Sequence, residues 1–253
     1  MIAYKKRTMK RLFLIVIFST FFLYSQSSLD ILDSLHGTND WKLENFFSDG
    51  TRFETKKIFN KTLIAVKVSR IEKIDPNVIS SVVMDLDNYG EFLSNANTLE
   101  SRILNITDEY VDGYQHIKVA LPFFSDRRYC FRMKSFDWTS NDSTNIVEWY
   151  LLEENQYESF NKENGTESLY LNIGAGTWSA KQIDEKKYEI SYCLYMDPKG
   201  SIPNFLTQKI NAMNIINLYE DILSEARSRI QKKNAEKRFN SESSINTKKS
   251  YRF

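Results

Sequence analysis

The chain has 253 residues and a mass of 29.8 kDa, with 42% hydrophobic and 26% charged residues, a globular composition for one or two domains that excludes global disorder. Two cysteines and two histidines exclude a disulfide-built miniprotein, a four-cysteine zinc site and a histidine-rich metal centre. The formal net charge of +1 conceals an acidic body, with 22 basic and 31 acidic side chains in residues 27–231, which argues against nucleic acid as a partner because phosphate neutralisation needs clustered Lys and Arg.

Residues 1–26 carry Lys5, Lys6, Arg7, Lys10 and Arg11 and no acid. An apolar run from Leu12 to Phe18 follows, continued by Phe21, Phe22 and Leu23. This is shorter than the roughly 20 apolar residues that span a bilayer, and it has the charged and apolar regions of a secretory signal peptide. Met9 offers a second start, and cleavage is expected near Ser25 or Gln26. The expected location is therefore periplasmic or secreted; the alternative is an uncleaved N-terminal anchor.

Residues 29–48 are predicted as amphipathic helical pieces, from Leu32, Leu35, Trp41, Leu43 and Phe46, interrupted at Gly37. Residues 51–74 alternate as strands, with Phe53, Ile58, Leu63, Ala65, Val66 and Val68. Pro76 opens a helix with Asp75 as its N-cap, carrying Val78, Ile79, Val82 and Val83 and ending at Asp85 and Asp87. A short piece with Tyr89, Phe92 and Leu93 follows. From about 100 to 196 the pattern is successive antiparallel strands, with turns predicted at 109–113 (around Gly113), 141–143 and 164–165.

Alternation assigns faces to these strands. Tyr129, Phe131 and Met133 share one side, as do Val147, Trp149 and Leu151, and Tyr188, Ile190, Tyr192, Leu194 and Met196. One side of the sheet is thus rich in aromatics and needs a cover. The last helix, predicted from near Pro203 to about Lys232, supplies it. Ala212, Ile216, Tyr219, Leu223, Ala226 and Ile230 recur at intervals of four and three, and Phe205 and Met213 widen the stripe. At 1.5 Å per residue this helix is about 42 Å long, enough to cross a sheet. Residues 233–253 are polar and basic and are expected to be a disordered tail.

The element order now meets several local sequence words. Asp197-Pro198-Lys199-Gly200-Ser201-Ile202-Pro203-Asn204-Phe205-Leu206 resembles the Asp-Pro-Gly-Gly-x-Ile-Pro-x-Trp-Leu junction of the START domain, the steroidogenic acute regulatory protein-related lipid-transfer family. Leu121-Pro122-Phe123-Phe124-Ser125-Asp126-Arg127-Arg128-Tyr129 is similar to the family's proline-aromatic loop and following Arg-Asp-Phe. Val83-Met84-Asp85 with Tyr89 and Phe92 resembles its helix-ending Asp followed by Tyr and Trp. Gly176-Thr177-Trp178 sits where the family often has Gly-x-Trp. The resemblance spans roughly residues 40–230, with Arg128 in place of Asp, Phe92 in place of Trp and Lys199 in place of Gly. It implies an α+β helix-grip fold: a curved antiparallel sheet wrapped around a long C-terminal amphipathic helix, enclosing an apolar cavity for one lipid. The domain would occupy residues 29–232.

Candidate chemistry is sparse. Asp85 and Asp87 could be paired carboxylates or helix-end and turn residues. Arg127 or Arg128 could bind a phosphate or carboxylate of a lipid or form an ion pair with Asp126 or a carboxylate at the sheet rim; strand parity favours Arg127 as the inward one. His116 shares parity with Lys118 and is expected to face solvent. The family topology separates the strands of Cys130 and Cys193, so free thiols are expected. No catalytic triad spacing or phosphate-binding glycine loop occurs, and no metal or cofactor is expected.

The expected function is an exported, non-enzymatic lipid-binding or lipid-transfer protein holding a lipid or other apolar small molecule. Arg127 would fix the head group, and Tyr129, Phe131, Trp149, Tyr192, Met213, Ile216 and Tyr219 would form the wall. The basic tail could make transient contact with an anionic membrane surface. The alternatives are a related-fold enzyme, a cyclase or hydrolase on an apolar substrate, and a protein-interaction module with a filled interior.

Overall fold

The computed structural model describes residues 27–250 except 38, 60–62, 120–123, 139–143, 161–167 and 201–203, with backbone alone for 204–214 and 239–250. The predicted signal segment and the turns at 141–143 and 164–165 lie outside the described residues.

Ser27 caps helix α1 (Ser28–His36) through a reciprocal pair with Asp30, satisfying amide groups the first turn leaves open. Helix α2 (Pro76–Val83) starts as predicted, with the Asp75 carboxylate accepting from the Asn77 amide at 2.8 Å. A 3-10 turn (Leu86–Asn88) and the short helix α3 (Tyr89–Phe92) follow.

Ten strands among the described residues form one sheet. They are β1 (Lys42–Phe46), β2 (Arg52–Ile58), β3 (Leu63–Glu72), β4 (Leu99–Ile106) and β5 (Val111–Ile117). The rest are β6 (Arg127–Ser135), β7 (Thr144–Leu151), β8 (Leu169–Tyr170), β9 (Gly174–Asp184) and β10 (Lys187–Met196). The order is β1-β2-β3-β10-β9-β7-β6-β5-β4, antiparallel along this path, with β8 pairing parallel to β6. Register shifts in β1, β4, β7 and β9 mark bulges or irregularities, and a bulge bends the strand that carries it.

Helix α4 (Asn204–Ser250) lies against the inner face of the sheet together with α2 and α3. The outer face is also buried in part. Helix α1 packs Ile31, Leu32 and Leu35 against Ala65, Ala175 and Cys193 of β3, β9 and β10. Ser28 ties this helix to the loop before β9, its hydroxyl donating to the Asn172 carbonyl and accepting from the Gly174 amide. The α+β helix-grip arrangement is therefore present, with a cover on each side of the sheet.

Three local expectations are corrected. Residues 42–46 are an edge strand, not a helix, and Leu43 and Phe46 are exposed; backbone pairing with β2 sets their conformation, so apolar spacing was no guide. Gly113 lies inside β5, where a Cβ would meet the Phe131 ring at 2.6 Å and Leu86 at 2.7 Å, so close packing and not a turn requires the glycine. The turn is built at Thr107–Tyr110 instead. Helix α4 runs to Ser250, past the predicted end at Lys232 and through the expected disordered tail. No Gly or Pro interrupts residues 204–250, and its Lys, Glu, Ala and Arg residues favour helix. Residues 231–238 are exposed.

Cys130 and Cys193 are buried and no disulfide joins them. Their strands, β6 and β10, are separated by β7 and β9.

Candidate functional site

A cavity of about 230 Å³ lies between the inner face of the sheet and α4. Strand alternation supplies most of its wall. Phe131 and Met133 enter from β6 with Tyr129, Trp149 from β7 and Trp178 from β9. Tyr192, Leu194 and Met196 complete that side from β10. Val83, Leu86, Tyr89 and Leu93 close one end from the α2–α3 segment. Leu99, Gln115 and Ile117 come from β4 and β5, and the exposed Asn95 lies at the rim. Ile215, Leu218 and Ile222 form the α4 side.

Two glycines make room for aromatic rings. At Gly176 a Cβ would fall 2.6 Å from the Trp149 indole, and at Gly113 one would strike Phe131. Trp178 is stacked on Tyr192 at 4.4 Å and 12°, and on Tyr219 at 5.6 Å and 3°. One slab of three parallel rings thus joins β10, β9 and α4.

The polar groups in the wall are few. The Tyr89 hydroxyl donates to the Val83 carbonyl at 2.6 Å. The Tyr129 hydroxyl donates to Gln115 Oε1 at 2.6 Å. Trp149 Nε1 donates to the Tyr192 hydroxyl at 3.2 Å. Burial pushes the phenols of Tyr89, Tyr129 and Tyr192 above their ordinary value, because an apolar surrounding disfavours phenolate. These groups are neutral donors or acceptors, and none of the described lining residues is charged.

Of the expected site residues, Tyr129, Phe131, Trp149 and Tyr192 are brought together in the wall. Met213 has its side chain outside the described residues. Arg127 is corrected: its guanidinium does not line the cavity but donates to the carbonyls of Pro198 at 2.8 Å and Lys199 at 3.2 Å, and to that of Ser125. It holds the junction between β10 and α4, where Lys199 and Gly200 both have positive φ, 47° and 78°. Lys199 adopts the left-handed region at a cost glycine avoids, and the Asp197 carboxylate accepts its amide at 2.9 Å. Arg128 pairs with Glu154 at 2.7 Å and covers the Tyr170 ring.

Ile216 and Tyr219 are also corrected. Tyr219 is fully buried, stacked on Trp178, with its hydroxyl donating to the Ile190 carbonyl at 2.8 Å; Ile216 is half-buried beside it. Helix phase is the reason. At 100° per residue, Leu218, Ile222 and Ile215 form one side of the apolar arc, and Tyr219, Leu223 and Ile216 the other. The first side meets the cavity and the second includes the residues seated on the sheet. Gln115 was missed because a lone glutamine in a strand gives no sequence signal for facing an apolar cavity.

The remaining candidates are structural. Asp85 accepts from Arg229 at 2.5 Å and from Asn88, and Asp87 accepts from the Ile103 amide. His116 is half-buried, not solvent-facing, with Nε2 3.5 Å from the Asp126 carboxylate, whose other oxygen accepts from the Val119 amide. Among the described residues no cluster of His, Cys, Asp and Glu could hold a metal ion.

No family model and no curated protein matches this sequence. Solved structures do match. Human STARD10 superposes with a TM-score of 0.61 at 14% identity, over 79% of this chain and 80% of that one. The STAR-related lipid transfer protein fragment from Xanthomonas axonopodis gives 0.60 at 15%, over 75% and 99%. Human StAR-related lipid transfer protein 5 gives 0.58 at 10%, over 79% and 92%. Likeness at such identities speaks for the backbone and not for the ligand: the chain has a START-like, helix-grip fold.

Proposed function

We propose that this protein binds one lipid or other apolar small molecule in the cavity between α4 and the sheet, and carries it without altering it. The observation that carries the reading is the cavity itself, an apolar chamber left open where aromatic side chains from both layers could have met. An apolar cavity of about 150 Å³ takes up benzene, so about 230 Å³ admits a larger guest. Burial contributes about 0.8 kcal/mol per methylene, and the few polar groups would orient the guest. The lipid-transfer descriptions of the Xanthomonas and human matches support the same reading. The non-enzymatic part is supported by a wall in which the ionisable groups among the described residues are phenols held neutral. Residues 1–26 would direct export, and the exposed Lys232, Lys233 and Lys237 on α4 would favour brief contact with an anionic membrane by about 1 kcal/mol each near the surface.

Native mass spectrometry of the purified protein, followed by organic extraction, tests this. One apolar molecule per chain is expected, recovered chemically unchanged after incubation. A protein that purifies empty and also takes up no alkane, fatty acid, sterol or phospholipid would refute it.

A further inference from the structure

We infer that the Tyr192 hydroxyl is the hydrogen-bond donor that recognises the ligand, and that this ligand is an uncharged apolar molecule with an acceptor oxygen, such as a carbonyl, ester or ether, at its inserted end. The inference rests on the cavity reading above.

Among the phenols of the wall, hydrogen accounting singles out this one. The three phenols of the wall differ in where their protons go. That of Tyr89 is donated to a backbone carbonyl and that of Tyr129 to Gln115. Tyr192 accepts from the Trp149 indole, and its own proton has no acceptor among the described residues. Tyr192 is 3% exposed, so bulk water does not serve it. An unmade hydrogen bond of a buried group costs about 1–3 kcal/mol, and a ligand oxygen would recover that.

The ring has little freedom to find a protein acceptor. It is stacked face to face on Trp178, which is itself stacked on Tyr219. Trp149, the donor to Tyr192, is packed over Gly176. The phenol and the indole that donates to it are therefore both held in place, and both residues are in the cavity wall. Burial keeps the phenol protonated, so it stays a donor.

Charge decides the ligand class. No described lining residue carries one. The nearby arginines are committed: Arg70 to Glu220 and Glu72, Arg229 to Asp85 and Glu225, and Arg127 to backbone carbonyls. A carboxylate or phosphate inserted beside Tyr192 would lose its hydration without a counter-charge. A neutral oxygen would not.

The test measures binding of 2-decanone and of decane, by quenching of tryptophan fluorescence, to the full chain and to Tyr192→Phe. The ketone is expected to lose roughly three- to tenfold in affinity in the variant, while decane stays within about twofold. Tyr157→Phe serves as a control, since Tyr157 is not in the wall and its proton goes to Asp112; it should not separate the two probes. Equal changes for both probes in Tyr192→Phe, or no change for either, would overturn the donor assignment and leave the cavity reading standing. Binding of neither probe by the unsubstituted protein would overturn both. Should Tyr192→Phe fail to fold, the carbonyl stretch of 2-decanone bound to the unsubstituted protein decides. A shift to lower wavenumber than in hexane is expected, and a stretch at the hexane position overturns the inference.

Discussion

Gly176 and Trp149 occupy one space between them. An added Cβ would approach the indole to 2.6 Å, well inside contact distance, and the obstacle is a large ring held by its bond to Tyr192. Overpacking of this kind costs about 1–3 kcal/mol. Gly176→Ala is therefore expected to lower the free energy of unfolding by that amount in a urea titration, and to reduce uptake of apolar probes by pushing the indole into the cavity. The sequence word Gly-x-Trp marked this strand, and the aromatic parity of β6, β7 and β10 was readable residue by residue. The role of Arg127 was not. Parity states which side of a sheet a residue leaves from, but a guanidinium on a long stem reaches the rim, and here two carbonyls at the β10–α4 junction, with that of Ser125 just before β6, claim it.

Helix α4 shows what spacing can and cannot report. Its apolar period was legible and placed it across the sheet. The division of its broad apolar arc between sheet and cavity was not, because hydrophobic residues suit either neighbour. Its seating depends on charge as well. Arg70 of β3 forms a forked pair with Glu220 of α4 at 2.7 and 3.0 Å, and reaches Glu72 and Asp49 at 2.7 and 2.6 Å. Arg227 and Arg229 add links to Glu72 and Asp85. Removing one partner of a largely buried pair leaves carboxylates uncompensated, at about 3 kcal/mol or more; Glu220 is part-exposed, which reduces the loss. Arg70→Met is expected to cost about 2–3 kcal/mol in chemical denaturation, with Arg70→Lys recovering part of it. The β1 edge was misread for the opposite reason. Its five residues are all exposed, so no burial pattern was imposed on their sequence.

Across the whole molecule, protons are held by burial. The Cys193 thiol is pushed up to about 12 from 9.0, and the Tyr195 phenol to about 12 from 10.0, both chiefly by loss of solvent. Tyr89, Tyr129, Tyr192 and Tyr219 are shifted in the same direction by the same cause. The unfolded chain releases these protons first, so above pH 9 the folded state binds more of them, and stability falls as pH rises from about 9 towards 12. Urea midpoints are expected to drop between pH 8 and pH 10.5, with tyrosinate absorbance appearing together with unfolding. A flat profile would contradict the burial assigned to these groups.

The face-to-face slab of Tyr219, Trp178 and Tyr192 has an optical consequence. A tryptophan stacked on two near-parallel phenols, at 5.6 and 4.4 Å, is in a defined chiral arrangement of transition dipoles. Two of the rings belong to the sheet and the third to α4. Near-ultraviolet circular dichroism consequently carries a contribution that exists when α4 is docked and vanishes when it lifts. The molecule has an intrinsic chromophore for the opening of its own cover, readable without a label and without knowing the guest.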